Sequence, residues 1–200
     1  MLRVTVFIDA QNFYRGARRA FFDDAHGPSV EGQFNPMALG ELLAQRDAGR
    51  ELTAVRLYTG RPDAYLQPVA HRASVRQSAA WESAGSSVVH RPLRYPVGWP
   101  NAGGRRPEEK GIDVALAVDL TRMAQEGLYD TAILCTVDSD LAPAIEDVLN
   151  RTGRSVEVAA WRSKGHRHRL SLDGRNLWCH WLQRSDYDLV RDDTDYTRQT

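Results

Sequence analysis

The chain has 200 residues, 42% of them hydrophobic, enough to bury one compact core without disulfides or a structural metal. Its 26 basic and 26 acidic residues cancel, which excludes a global positive field and leaves any nucleic-acid partner to a local patch. No apolar run approaches the roughly 18 residues of a membrane span, and the first strand begins too early for a secretory leader, so the expectation is a soluble, cytoplasmic protein without membrane attachment.

Residues 3–8 form a β-branched run that predicts a strand ending on Asp9, after which Phe13, Ala17, Ala20 and Phe21 recur at helical spacing. Asn12 falls near the helix start, where its side chain either caps free N–H groups or orients a water or phosphate oxygen. Arg15, Arg18 and Arg19 sit on the first turns, as a solvated face or as contacts for phosphates entering beside Asp9. Residues 23–34 lack a period and read as a surface excursion. Asn35-Pro36 opens a helix to about residue 46. Residues 51–58 form the second strand, ended by a turn at Thr59-Gly60-Arg61-Pro62.

A helix over 68–84 closes on Gly85, and 87–90 is the third strand. Residues 91–109, rich in proline and glycine, suit a lid or an irregular loop; Trp99 there is an anchor or a base-stacking platform. The next helix opens at Lys110-Gly111-Ile112-Asp113 and ends near Gly127. Asp113 lies in its first turn, where the helix dipole also favours a carboxylate. Asp119 points about 240° away from Asp113 at 100° per residue and is a secondary candidate.

Residues 131–137 are apolar and read as a buried strand that stops at Asp138 and Asp140, on a turn into a helix carrying Leu141, Ile145, Val148 and Leu149. In open α/β sheets ligands bind at this carboxyl edge. A strand at 155–161 follows, and then the densest basic run of the chain, at 162–169. This run, with Arg167 and Arg169 in it, is either solvated surface or a basic patch on the edge that carries the carboxylates, while His166 and His168 lack the further ligands of a zinc site. Cys135 and Cys179 show no metal-binding spacing and read as reduced thiols. Leu177, Trp178, Trp181 and Leu182 predict a terminal element, and residues 186–200 an acidic, flexible tail after a domain spanning 1–185.

The repeated strand-helix pattern implies a parallel sheet. Asp9, Asp113, Asp138 and Asp140 would then converge on one edge, where mutual repulsion and oxygen-only ligands favour Mg²⁺ or Mn²⁺. Such a metal supports phosphodiester hydrolysis.

The segments FIDAQNFY (residues 7–14), EKGIDVALAVDL (109–120) and TVDSDLAPAI (136–145) together resemble the NYN family, PIN-like nuclease domains related to the LabA/DUF88 group. The resemblance implies a three-layer α/β/α sandwich with a mostly parallel sheet. It also implies a metal-dependent endoribonuclease acting on single-stranded or structured RNA. By motif, Asp9, Asn12, Asp113, Asp138 and Asp140 would be its catalytic set, the four aspartates its metal ligands, and Lys110 a phosphate contact. Thr136, Val137 and Leu141 stand where the family commonly has Ser-Gly before the DSD triplet and an aromatic after it. An RNA-binding or regulatory module with a vestigial acidic site is the alternative. A phosphatase using Asp9 as nucleophile is disfavoured because Gln11 stands where a second acid is needed. The residues leave a homodimer open.

Overall fold

A computed structural model describes residues 1–24 and 26–198. Six strands alternate with helices: β1 (Leu2–Asp9), α1 (Ala10–Phe21), α2 (Pro36–Gln45), β2 (Arg50–Arg61), α3 (Pro68–Ser83), β3 (Ser87–Pro92), α4 (Ile112–Gln125) and β4 (Thr131–Cys135). A single 3₁₀ turn at Ser139–Leu141 leads into α5 (Ala142–Arg151), followed by β5 (Ser155–Trp161), β6 (Cys179–Leu182) and α6 (Arg184–Val190). The sheet is parallel throughout, in the order β3-β2-β1-β4-β5-β6.

Alternation along the central strand builds the three layers. Val4, Val6 and Ile8 of β1 pack with Phe13, Leu39, Leu43, Trp161 and Tyr187, under α1, α2 and α6. Phe7 points the other way, among Leu116, Leu120, Ile145 and Val148 of α4 and α5. β4 is buried along its whole length because β1 and β5 flank it and helices cover both faces. With two apolar faces to satisfy, its sequence TAILC carries no alternation.

The strand order reverses beside β1: β2 lies on one side of it and β4 on the other. At such a switch point the connections leave in opposite directions and open a crevice at the carboxyl ends. Asp9 is the last residue of β1, and Asp138 follows β4 by three.

Two expectations change. The expected turn at Thr59-Gly60-Arg61 belongs to β2, since Thr59, Gly60 and Arg61 pair with His90, Arg91 and Pro92 of β3; sheet pairing overrides the local turn signal. Within the expected tail, Asp186 closes a capping box on α6, and Tyr187 and Val190 are buried. Beyond α6, Asp192 N–H donates to the Gln33 carbonyl, and Arg76 donates to the Tyr196 carbonyl. Residues 199 and 200 of that expected tail lie outside the described residues.

The 91–109 loop is pinched by paired backbone hydrogen bonds between Arg94 and Glu108. Trp99 packs edge-on against Tyr95 at 5.9 Å, and the Tyr95 hydroxyl bonds Gln67 and the Asp63 N–H. These contacts give Trp99 the role of loop anchor. No helix among the described residues is long and apolar enough to cross a membrane.

Candidate functional site

Asp9 has two roles at the end of β1. As N-cap of α1 it accepts the Asn12 N–H at 3.0 Å, a bond that stabilises the helix start. The expected capping role of Asn12 therefore belongs to Asp9. The Asn12 side chain instead reaches across the switch point and accepts the Val137 N–H at 3.1 Å, tying α1 to the loop after β4.

That loop is ordered from below and within. Thr136 is fully buried and its hydroxyl accepts the Asp138 N–H at 3.1 Å, while Asp138 accepts the Asp140 N–H at 3.0 Å and so caps the 3₁₀ turn. Val137 keeps an ordinary negative φ, as does every non-glycine among the described residues, so this turn does not require a glycine. Leu141 is buried in the α4/α5 core.

Burial pushes the Asp9 carboxyl up to about 6; the Asn12 N–H opposes this, and the negative charges of Glu109, Asp138 and Asp113 push in the same direction as burial. Asp9 thus feels three other carboxylates at the switch point. Asp113 arrives on the first turn of α4, behind Gly111, whose φ of +76° is a left-handed conformation suited to glycine. Asp140 is exposed and is not among the acids that raise Asp9.

Glu109 was not a candidate from sequence. Its Oε1 accepts the Gly60 N–H at 2.5 Å, and its carboxyl is raised by burial, against the Gly60 N–H and the nearby Arg15 charge. A Cβ at Gly60 would lie 2.7 Å from Glu109 Cγ, so only glycine lets the strand approach this acid. The signal in the sequence was its place beside Lys110 and Gly111, masked because it reads as the last residue of an irregular loop.

Asp9, Asn12 and Glu109 line a cleft of about 450 Å³ whose other walls carry Arg15, Arg19, His166 and His168, with the Trp161 ring buried beneath. Trp161 is fixed by its Nε1–H bond to the Phe13 carbonyl at 3.0 Å and by stacking on Phe13. With its amide oxygen turned toward Arg15, Gln11 accepts from Nε and Nη2 at 2.9 and 3.1 Å and steadies that guanidinium. The two histidine rings lie 5.2 Å apart, and burial, then His168 and Arg19, lower the His166 pKa. His166 and His168 were set aside as a zinc pair, yet they follow β5 at the same carboxyl edge.

Other sequence candidates lie elsewhere. Arg167 stacks over Trp181 at 5.3 Å, and Arg169 donates to the Leu177 carbonyl at 2.9 Å and to Asn176; neither lines the cleft. Arg18 is buried and binds the carbonyls of Gly27, Pro28 and Glu31, which pins the 23–34 excursion onto α1. Lys110 is exposed beside the acids in sequence. Asp119 is held by Arg56 at 2.5 Å and by the Tyr58 hydroxyl at 2.9 Å. Burial works against its charge, but these bonds overcome it and keep the carboxyl below the usual range. It is a structural ion pair under the sheet.

The donors fit a hard divalent cation in kind: they are carboxylate oxygens, and burial disfavours the unneutralised charge of Asp9 and Glu109, which a cation would relieve. No group of three or more His, Cys, Asp or Glu among the described residues is placed so that it could hold a metal ion. Carboxylates and cations lining one cleft together suit a phosphodiester, whose charge the arginines would attract.

The chain is similar in three dimensions to the crystal structure of a protein of unknown function from Vibrio parahaemolyticus, with a TM-score of 0.51 and 16% identity over 79% of this chain and 80% of that one. At that identity the likeness speaks for the fold alone. No curated protein matches the chain. The family described as NYN domain matches residues 3–172, and with the three motifs at one sheet edge the chain belongs to this family of PIN-like, nuclease-type domains.

Proposed function

We propose that the protein is a ribonuclease that hydrolyses RNA phosphodiesters with Mg²⁺ or Mn²⁺. The observation that carries this reading is the cleft at the switch point, lined by Asp9 and Glu109 together with Arg15, Arg19 and two histidines, with the charges of Asp113 and Asp138 near enough to act on Asp9. Asp9, Asp113 and Asp138 would hold the metal, with Glu109 beside them and Asp140 reaching it only by a shift of its exposed turn. When bound, such a metal supplies an activated water and stabilises charge on a phosphoryl oxygen.

The chain's own residues have distinct tasks. Arg15 and Arg19 attract and orient the phosphate by charge and hydrogen bonding. Asn12 fixes the Asp138 turn against α1 through the Val137 N–H. Gln11 restrains Arg15, and Gly60 restrains Glu109. His166 and His168 stand where one can carry a proton to a leaving oxygen. Lys110, Arg167 and Arg169 extend the basic surface along which a longer RNA would run. Incubation of single-stranded and structured RNA with Mn²⁺ tests the reading: the native protein is expected to cleave and Asp138→Asn to lose cleavage, whereas equal cleavage by both rejects it.

A second reading, an RNA-binding or regulatory module, draws on the spread of the acids, no three of which are gathered for a metal among the described residues. RNA retention without hydrolysis or metal uptake would favour it.

A further inference from the structure

Beside the acid cleft lies a second cavity of about 400 Å³ that the proposed hydrolysis does not use. Its walls come from α1, the segment before α2, the end of β2, α3 and residues 195–197. The two cavities share Gln11, and Gly60, which lines the second, donates its N–H to Glu109 of the first. The two cavities therefore adjoin at Gln11, as the sites for a phosphate and the base of the same nucleotide must.

The lining has a definite chemistry. Tyr14, Trp81 and Tyr196 offer aromatic surface, and Gln33 and Gln77, linked side chain to side chain at 3.5 Å, offer donors and acceptors. Trp81 is only 8% exposed, and its indole N–H has no hydrogen-bond partner among the described residues. No lysine, arginine or histidine contributes to the described lining, whereas Asp195 does. The Asp195 carboxylate is already engaged by Arg198 and Thr197, and the described lining offers a phosphate no free cation. A flat uncharged heterocycle suits this lining: aromatic rings for its faces and the two amides for its edge. Ala73 and Ser74 of α3 keep the space open by being small, and the volume lies in the range of small-molecule pockets.

We propose that this cavity is a nucleobase subsite, holding one base of the strand whose phosphate lies over the acids. The identity of the polymer rests on the nuclease reading; base binding itself does not need the acids. The test is saturation-transfer NMR on the full chain with AMP, GMP, CMP and UMP separately, without divalent metal. At least one nucleotide should receive saturation most strongly at its base protons. Ala73→Phe, which fills the cavity, should abolish the transfer, Gln77→Ala should weaken it severalfold or change which base is preferred, and Asp138→Asn should leave it intact. The proposal is overturned if none of the four nucleotides shows base transfer. It is also overturned if a folded Ala73→Phe protein keeps the transfer or, should that variant not fold, if Gln77→Ala changes nothing. Base binding without RNA cleavage would reject the nuclease reading and keep the subsite; cleavage without base binding would do the reverse.

Discussion

The two edges of the sheet treat carboxylates in opposite ways. At the amino edge, Asp130 precedes β4 and is clamped by Arg3, through its backbone N–H at 2.9 Å and its guanidinium at 3.0 and 3.2 Å, and by Arg154 at 2.6 Å. These bonds, those of Arg3 foremost, hold its carboxyl at about 2. At the carboxyl edge, Asp9 faces other acids and is raised to about 6. The first edge spends its charges on tying β1, β4 and β5 together. The second leaves charge unneutralised, a cost to folding that makes sense where a ligand will be bound.

The largest expected break in this contrast is catalytic. Asp9→Asn or Asp138→Asn should lower RNA cleavage by about a hundredfold or more, the scale of losing an essential electrostatic group, whereas Asp130→Asn should change the rate only as far as it unfolds the protein. Gel assays on the three folded variants at one Mn²⁺ concentration check this.

Stability should move in opposite directions. For Asp9 the folded pKa of about 6 lies above the unfolded value near 3.9, so its contribution is full at low pH and declines as pH rises through about 6. Asparagine still caps a helix, so Asp9→Asn should be more stable than the native protein at pH 8, by at most about 3 kcal/mol, and the gain should vanish near pH 4. For Asp130 the folded value is depressed to about 2, so its contribution is present above about 4 and is lost as pH falls toward 2. Asp130→Asn should therefore melt lower at pH 7, with the deficit closing in acid. Thermal melts of both variants from pH 3 to pH 8 would reveal the crossing, and parallel curves would refute the contrast.

Smaller effects concern positioning. Gly60→Ala, whose Cβ would strike Glu109, and Asn12→Ala, which frees Val137 N–H, should each lower turnover by about tenfold, the cost of a modest misplacement of reacting groups. Neither should change the Asp130 clamp. Val137→Gly should have the least effect, because Val137 already adopts an ordinary φ.

Most of the frame was legible because hydrophobic period and strand-end acids agree locally. Asp9, Asp113 and Asp138 stand out in the sequence because each lies at the end or the start of a regular element. Glu109 was hidden because its meaning depends on Gly60, 49 residues away. Thr59–Arg61 looked like a turn because pairing with β3 is invisible locally. Arg18 read as a surface cation, yet the carbonyls of an aperiodic loop bury it. The acidic appearance of 186–198 concealed Tyr187 and Val190, spaced for one helical face, and Asp186 serves there as a cap.

The most direct test of the acid edge is a calorimetric Mn²⁺ titration at pH 7.5 of the native protein, Asp9→Asn and Asp130→Asn. Stoichiometric binding that is lost in Asp9→Asn and kept in folded Asp130→Asn is the predicted result. Equal Mn²⁺ binding by the native protein and Asp9→Asn, or no binding by either, would contradict it.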